Sequence, residues 1–232
     1  MAQRLFFCYI PCMSIEMGLR ERKKQKTRSL IADTARALFL ERGFDAVTVA
    51  QIARVADVSE ATVFNYFPVK EDLLYTRMES FEEEMMEAVR QRTDGESIVD
   101  AFGRFVLQRR GMLAADDEQS ATDLQKLTLV ITNSSSLQAR EREIFERYTY
   151  SLATLITEEN GRHSDSIEPW VMANALIGVH RALLEYVRRE VLAGARNPGL
   201  ARKVQAPGKR ALDVLARGLG SDEAQPSLRT SG

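Results

Sequence analysis

The chain has 232 residues, 44% of them hydrophobic and 28% charged, a balance that belongs to a globular protein and excludes a disordered or membrane-embedded one. Its net charge of −1 averages two unlike parts: residues 1–78 carry 12 Lys/Arg against 9 Asp/Glu, and residues 79–232 carry 20 against 24, so the N-terminal part is the basic one. Cys8 and Cys12 read as reduced cytoplasmic thiols, and with only His163 and His180 they offer no ligand spacing, so neither a metal nor a cofactor is expected.

The apolar stretch 5–13 is interrupted by Pro11, is too short to span a bilayer and lacks a clear cleavage site. Residues 1–20 are expected to be a disordered extension, and 1–16 read either as an upstream extension or as a misassigned start ahead of Met17. Over 22–42, Leu30, Ile31, Ala35, Leu38 and Phe39 recur at helical spacing as one face, and Gly43 stops the helix. Thr48 caps a second helix near 49–56, with Ile52 and Ala53 inward, and Ser59 caps a short third helix to Tyr66 that Phe67 and Pro68 close.

A fourth helix is predicted from Lys70 to about 93, with Leu73, Leu74, Met78, Phe81, Met85 and Val89 at helical spacing. Further helices are expected at about 97–114, 119–134, 138–159, 167–194 and 206–218, separated by breakers at 133–136, 160–166, 197–199 and Pro207-Gly208. Residues 220–232 read as a disordered polar tail. No β-type alternation competes, so the fold class is all-α, in two domains: 21–69 and 70–219.

The second and third helices, joined by a tight turn, have the dimensions of a helix-turn-helix, whose second helix enters the major groove. Thr48, Ser59, Tyr66 and Lys70 then stand at helix ends where hydroxyls and an ammonium meet phosphates. Upstream, Arg20, Arg22, Lys23, Lys24, Lys26 and Arg28 place six cations in nine residues, an arm that follows the phosphate backbone or enters a minor groove.

The strings Val47-Thr48-Val49-Ala50-Gln51-Ile52-Ala53, Val58-Ser59 and Ala61-Thr62-Val63-Phe64-Asn65-Tyr66-Phe67, with Lys70 and Leu73, closely resemble the DNA-binding region of TetR-family transcription regulators over about 22–74. The resemblance implies an N-terminal three-helix helix-turn-helix domain and a C-terminal helical domain for dimerisation and ligand binding. It implies a homodimer on double-stranded operator DNA, most often a repressor that a small molecule releases. By position, Thr48 and Ser59 resemble phosphate-contacting caps and Lys70 the lysine that anchors the connecting helix on a phosphate, while Val63 and Phe67 are core. Glu60, Ala61, Thr62, Asn65 and Tyr66 become the groove-facing set, with Asn65 suited to adenine. Three departures stand out: Asp57 and Ala61 replace common glycines, and Phe64 replaces a tyrosine. Asp57 is expected to adopt a left-handed backbone.

A hydrophobic or amphipathic effector is expected among Phe105, Arg109, Leu127, Ile131, Trp170, Asn174, Ile177 and Arg181. Phe81, Met85, Met86, Phe102, Phe105 and Met112 read as core filling, Trp170 as core, and the acidic run Glu82, Glu83, Glu84 and Glu87 as solvated. The helix bearing Ala173, Leu176, Ile177, Leu183, Leu184 and Val187 is expected to pair with that bearing Leu212, Leu215 and Leu219 at a four-helix dimer interface, as in the family. Neither a membrane partner nor an enzymatic activity is expected. The rival readings are an all-helical enzyme with a spatially assembled site and an architectural DNA-binding protein without an effector.

Overall fold

A 24-residue helix, α1 (Leu19–Arg42), opens the fold and buries Ile31, Ala32, Ala35, Leu38 and Phe39. Gly43 ends it at φ 85°, where its N–H donates to the Phe39 carbonyl at 2.9 Å, a left-handed stop that a Cβ would disfavour. Leu30, expected inward, is 50% exposed, because it falls about 100° around the helix from Ile31. The computed structural model describes residues 18–108, 117–159, 166–195 and 199–219. The expected tail and most of the expected N-terminal extension lie outside the described residues, as do Met112 and His163.

Next come α2 (Val49–Val55), α3 (Glu60–Tyr66), a 3-10 turn (Lys70–Leu73), α4 (Thr76–Arg90) and α5 (Ile98–Val106). They are followed by α6 (Glu118–Thr132), α7 (Ser135–Glu159), α8 (Glu168–Leu192) and α9 (Gly199–Leu219), and no strand occurs among the described residues. The continuous helix expected from Lys70 is in fact two pieces. The Leu74 N–H bonds back to Glu71 in the tighter 3-10 pattern, and Tyr75 drops inward so that its hydroxyl donates to the Leu137 carbonyl at 3.0 Å. The chain is therefore bent where the three N-terminal helices meet the larger helical domain.

Pro207-Gly208, expected to break the chain, lies inside α9. Proline removes one helical hydrogen bond, and packing outweighs that loss: Leu200, Ala201 and Leu212 are buried. Gly208 lets α9 press onto its neighbours, since a Cβ there would stand 2.5 Å from Leu107 and 3.0 Å from Leu183. One hydrophobic core runs without interruption from Ile31 through Leu73 and Tyr75 to Leu212. One core thus spans both expected domains.

Polar contacts reinforce that junction. Arg140 of α7 pairs with Asp72 of the 3-10 turn at 2.8 Å, and the Ser134 hydroxyl reaches Asp45 at 3.3 Å. Arg188 of α8 makes a two-pronged pair with the buried Glu141 of α7. Glu82, expected in solvent, is instead held between Arg147 at 2.7 Å and the Ser151 hydroxyl at 2.7 Å; it fastens α4 to α7.

Candidate nucleic-acid interface

Both short helices are fixed by their own caps. The Thr48 hydroxyl accepts from the Gln51 N–H at 3.2 Å, and the Gln51 side-chain oxygen accepts from the Thr48 N–H at 2.9 Å. This reciprocal capping box satisfies two amide donors that the helix start leaves open. The Ser59 hydroxyl accepts from the Thr62 N–H at 3.0 Å and shares a 2.8 Å hydrogen bond with the Thr62 hydroxyl. A hydroxyl that accepts from an amide keeps its proton to donate, so Thr48 retains one donor for a phosphate and the Ser59–Thr62 pair retains one between them.

The turn between the helices is set by Asp57, which takes φ 55° as expected. The Val58 N–H returns to the Ala53 carbonyl at 3.0 Å and the Asp57 N–H to Arg54 at 3.4 Å, the Schellman arrangement that ends a helix on a left-handed residue. Aspartate fills a place where glycine is free of strain, at a cost of about 1–2 kcal/mol.

On α3, Val63 faces the core at 1% exposure and Phe67 closes the helix, equally buried. At 100° per residue, Ala61 and Asn65 lie nearly opposite Val63. Glu60, Ala61, Phe64 and Asn65 are exposed, while Thr62 and Tyr66 are half-buried. Phe64 is 48% exposed and joins the outer face that the sequence reading assigned to its neighbours.

The cationic segment is the first half of α1: Arg20, Arg22, Lys23, Lys24 and Lys26 are all exposed on a continuous helix. Arg28 leans back over the Phe67 ring at 5.0 Å. Lys70 is also turned inward. Its Nζ donates to the Phe44 carbonyl at 2.7 Å, and burial holds its ammonium below the ordinary lysine range.

Residues 31–75 match the family described as bacterial regulatory proteins, tetR family. Over those residues the chain is similar to the TetR family. That match takes in α2 and α3, the two short helices joined by the tight turn. The regulator TcmR of Streptomyces glaucescens is 36% identical over 85 residues, 37% of this chain and 38% of TcmR, so that match spans well under half of the relative. The nucleoid occlusion factor SlmA of Vibrio vulnificus is 25% identical over 173 residues, 73% of this chain and 87% of SlmA. Native NalD, a secondary repressor of the MexAB-OprM multidrug efflux pump in Pseudomonas aeruginosa, superposes with a TM-score of 0.52 at 22% identity. That superposition covers 81% of this chain and 97% of NalD. A SmeT–triclosan complex superposes with a TM-score of 0.51 at 18% identity, over 90% of this chain and 99% of SmeT. Both structures share this chain's fold.

The residues of the expected effector set stand in different surroundings. Phe105, Ile131 and Ile177 are buried and Leu127 is half-buried, but Asn174 and Arg181 are exposed on the outer face of α8. Arg109 lies outside the described residues. Trp170, expected in the core, is 40% exposed and meets Tyr150 edge-on at 5.7 Å. The centre of the helical domain is an aromatic cluster. Phe81 stacks on His180 at 4.8 Å and meets Phe105 at 5.1 Å, with Phe145 edge-on to His180 at 5.8 Å. Among the described residues the His180 ring makes no hydrogen bond, and burial pushes its pKa down to about 4. No metal-binding cluster occurs among the described residues, and no helix among them is long and apolar enough to cross a membrane.

Proposed function

We propose that the chain works as a homodimer that represses transcription from a two-fold symmetric operator and is released by a small hydrophobic or amphipathic effector. The observation that carries this reading is the outer face of α3. Glu60, Ala61, Phe64 and Asn65 stand exposed on a helix whose caps, turn and buried Val63 hold it rigidly. Asn65 pairs with adenine, Glu60 accepts from cytosine, and Ala61 and Phe64 meet thymine methyl groups. Thr48, Ser59, Tyr66, Lys70 and the α1 cations supply the phosphate contacts that set register.

A dimer places two such helices about 34–36 Å apart, one turn of DNA. Its support is the apolar patch of Tyr150, Ile167, Trp170 and Val171, all at least 40% exposed on adjoining α7 and α8, a surface that a second copy covers. Release runs through α4. A ligand that parts the cluster around Phe81 and His180 shifts α4, whose Met78 carbonyl is held by the Tyr148 hydroxyl. The movement then passes through the bend at Tyr75 to α3. Coupling of this kind amounts to about 1–3 kcal/mol and acts reciprocally on ligand and DNA.

The test is selection of random duplex DNA by the purified full chain at near-physiological salt, paired with sedimentation of the free protein. An enriched inverted repeat bound by a dimer is the expected result. Absence of any enriched motif from a folded dimer overturns the reading. The similarity to SlmA over 73% of the chain favours a second reading, an architectural DNA-binding protein without an effector. In that case the motif is enriched and no small molecule lowers its affinity.

A further inference from the structure

Away from α3 and from the aromatic cluster, the chain has a cleft of about 380 Å³ between the end of α1, the loop into α2, and α6. That volume falls in the range of small-molecule sites. Its walls divide by chemistry. Leu40, Phe44, Leu129 and Val130 give an apolar side, and Leu129 is left 44% exposed. Arg42, Lys126 and Asn133 give a polar rim.

The rim is short of partners. Among the described residues Lys126 makes no ion pair and the Asn133 side chain no hydrogen bond, while Arg42 meets its neighbour Glu41 at 3.5 Å, both well exposed. Asp45, the acid in the lining, is engaged elsewhere: it accepts from Ser134, and its charge favours the Lys70 ammonium. Lys126, the Asn133 amide and the remaining guanidinium donors of Arg42 therefore stay open above an apolar floor, with Asp45 turned to Ser134.

We propose that this cleft binds a small organic anion with a planar apolar body, its carboxylate or equivalent group held by Arg42 and Lys126 and its body laid on Phe44, Leu129 and Val130. Such an anion bridges the DNA-reading unit to α6. It rests on Phe44, whose carbonyl holds Lys70, and on Val130, four residues ahead of the Ser134 contact to Asp45. The site is separate from the effector site proposed above.

The probe is 2-naphthoate, with 2-naphthylmethanol as its uncharged counterpart, and binding to the full chain without DNA is read by ligand-observed NMR titration. Naphthoate is expected to bind more tightly than the alcohol. The surface pair Arg42→Gln with Lys126→Gln is expected to weaken it by about ten-fold or more, the usual worth of charge-assisted hydrogen bonds. Leu129→Glu is expected to weaken it as well, and His180→Phe to leave it unchanged. No naphthoate binding at millimolar concentration overturns the proposal. So does binding that the Arg42/Lys126 pair leaves intact, or binding that His180→Phe abolishes, which would place the anion in the aromatic cluster. None of these outcomes bears on DNA selection, so the two proposals fail independently.

Discussion

The Lys70 ammonium donates to the Phe44 carbonyl oxygen at 2.7 Å and lies 4.1 Å from the centre of the Phe44 ring. The residue expected to anchor the chain on a phosphate thus ties the entry of the 3-10 turn to the loop before α2. An ammonium has three donors, so it keeps the Phe44 carbonyl and still offers a proton to DNA.

Lys70→Met keeps most of the packing and removes the charge. DNA affinity is expected to fall alike for all sequences, and the slope of log affinity against log salt to shrink by about 1. The orphaned Phe44 carbonyl adds a stability loss of about 1 kcal/mol. Binding titrations over a salt series and a urea melt separate the two effects; a stability loss with an unaltered salt slope would leave Lys70 a purely structural tie.

Asp57 sits at φ 55° in the helix-turn-helix turn. Asp57→Gly is expected to stabilise the fold by about 1 kcal/mol, because glycine reaches this backbone without a Cβ penalty. Asp57→Val is expected to destabilise it by more than that, since β-branching is poorly tolerated there. Urea midpoints for the two variants must move in opposite directions; a shift of the same sign in both would remove the strain argument.

The turn was legible because local chemistry decides it: Gly43, Thr48, Ser59 and Asp57 act through hydrogen bonds within a few residues. The same holds for the outer face of α3, which follows from the inward positions of Val63 and Phe67. Where distant contacts decide, the sequence was silent. Pro207 reads as a breaker until Gly208 is seen against Leu107 and Leu183. Lys70 reads as the start of a long helix until Tyr75 is seen bonded to Leu137. Trp170 reads as core by its bulk, and its neighbours leave it at the surface. The cleft between α1 and α6 combines residues more than 80 positions apart, and no spacing within one element announces it.

Asn65 and Phe64 are adjacent on the exposed face of α3, and their contacts are of different kinds. Asn65→Ala is expected to change the preferred base at one position of each half-site, with a loss of about 1–3 kcal/mol for the original base. Phe64→Ala is expected to weaken the preference for thymine at a neighbouring position. Repeating the duplex selection with each variant checks both; an unaltered motif for Asn65→Ala would remove that residue from base reading.

Glu141 and Arg188 pair in the interior between α7 and α8, with their side chains 12% and 19% exposed. Glu141→Leu alone leaves the Arg188 guanidinium only the exposed Glu185 at 3.9 Å and is expected to destabilise the fold by about 3 kcal/mol. The double variant with Arg188→Leu is expected to regain most of that loss, because a matched apolar pair often replaces a buried ion pair at little net cost. A double-mutant cycle of urea melts measures the coupling. Additive losses would show that the pair contributes through packing alone.

His180 sets the acid side of the stability curve. Its imidazole lies between Phe81 and Phe145, and burial lowers its pKa from the ordinary 6.5 to about 4. A depressed base is neutral in the fold and gains a proton in the unfolded chain, so its contribution is fully retained above pH 6.5 and is lost as pH falls toward 4. Below that the folded state also protonates and the loss levels off, at about 3 kcal/mol for a gap of this size. Around the imidazole, Tyr148 of α7 lies 5.9 Å from the Phe81 ring and Arg181 leans over the Phe145 ring at 5.6 Å. His180→Phe is expected to remove this part of the acid loss while keeping the stack on Phe81. Urea melts between pH 7 and 4 decide the matter: parallel pH profiles for the two proteins would mean that other groups, and not this imidazole, govern the loss of stability in acid.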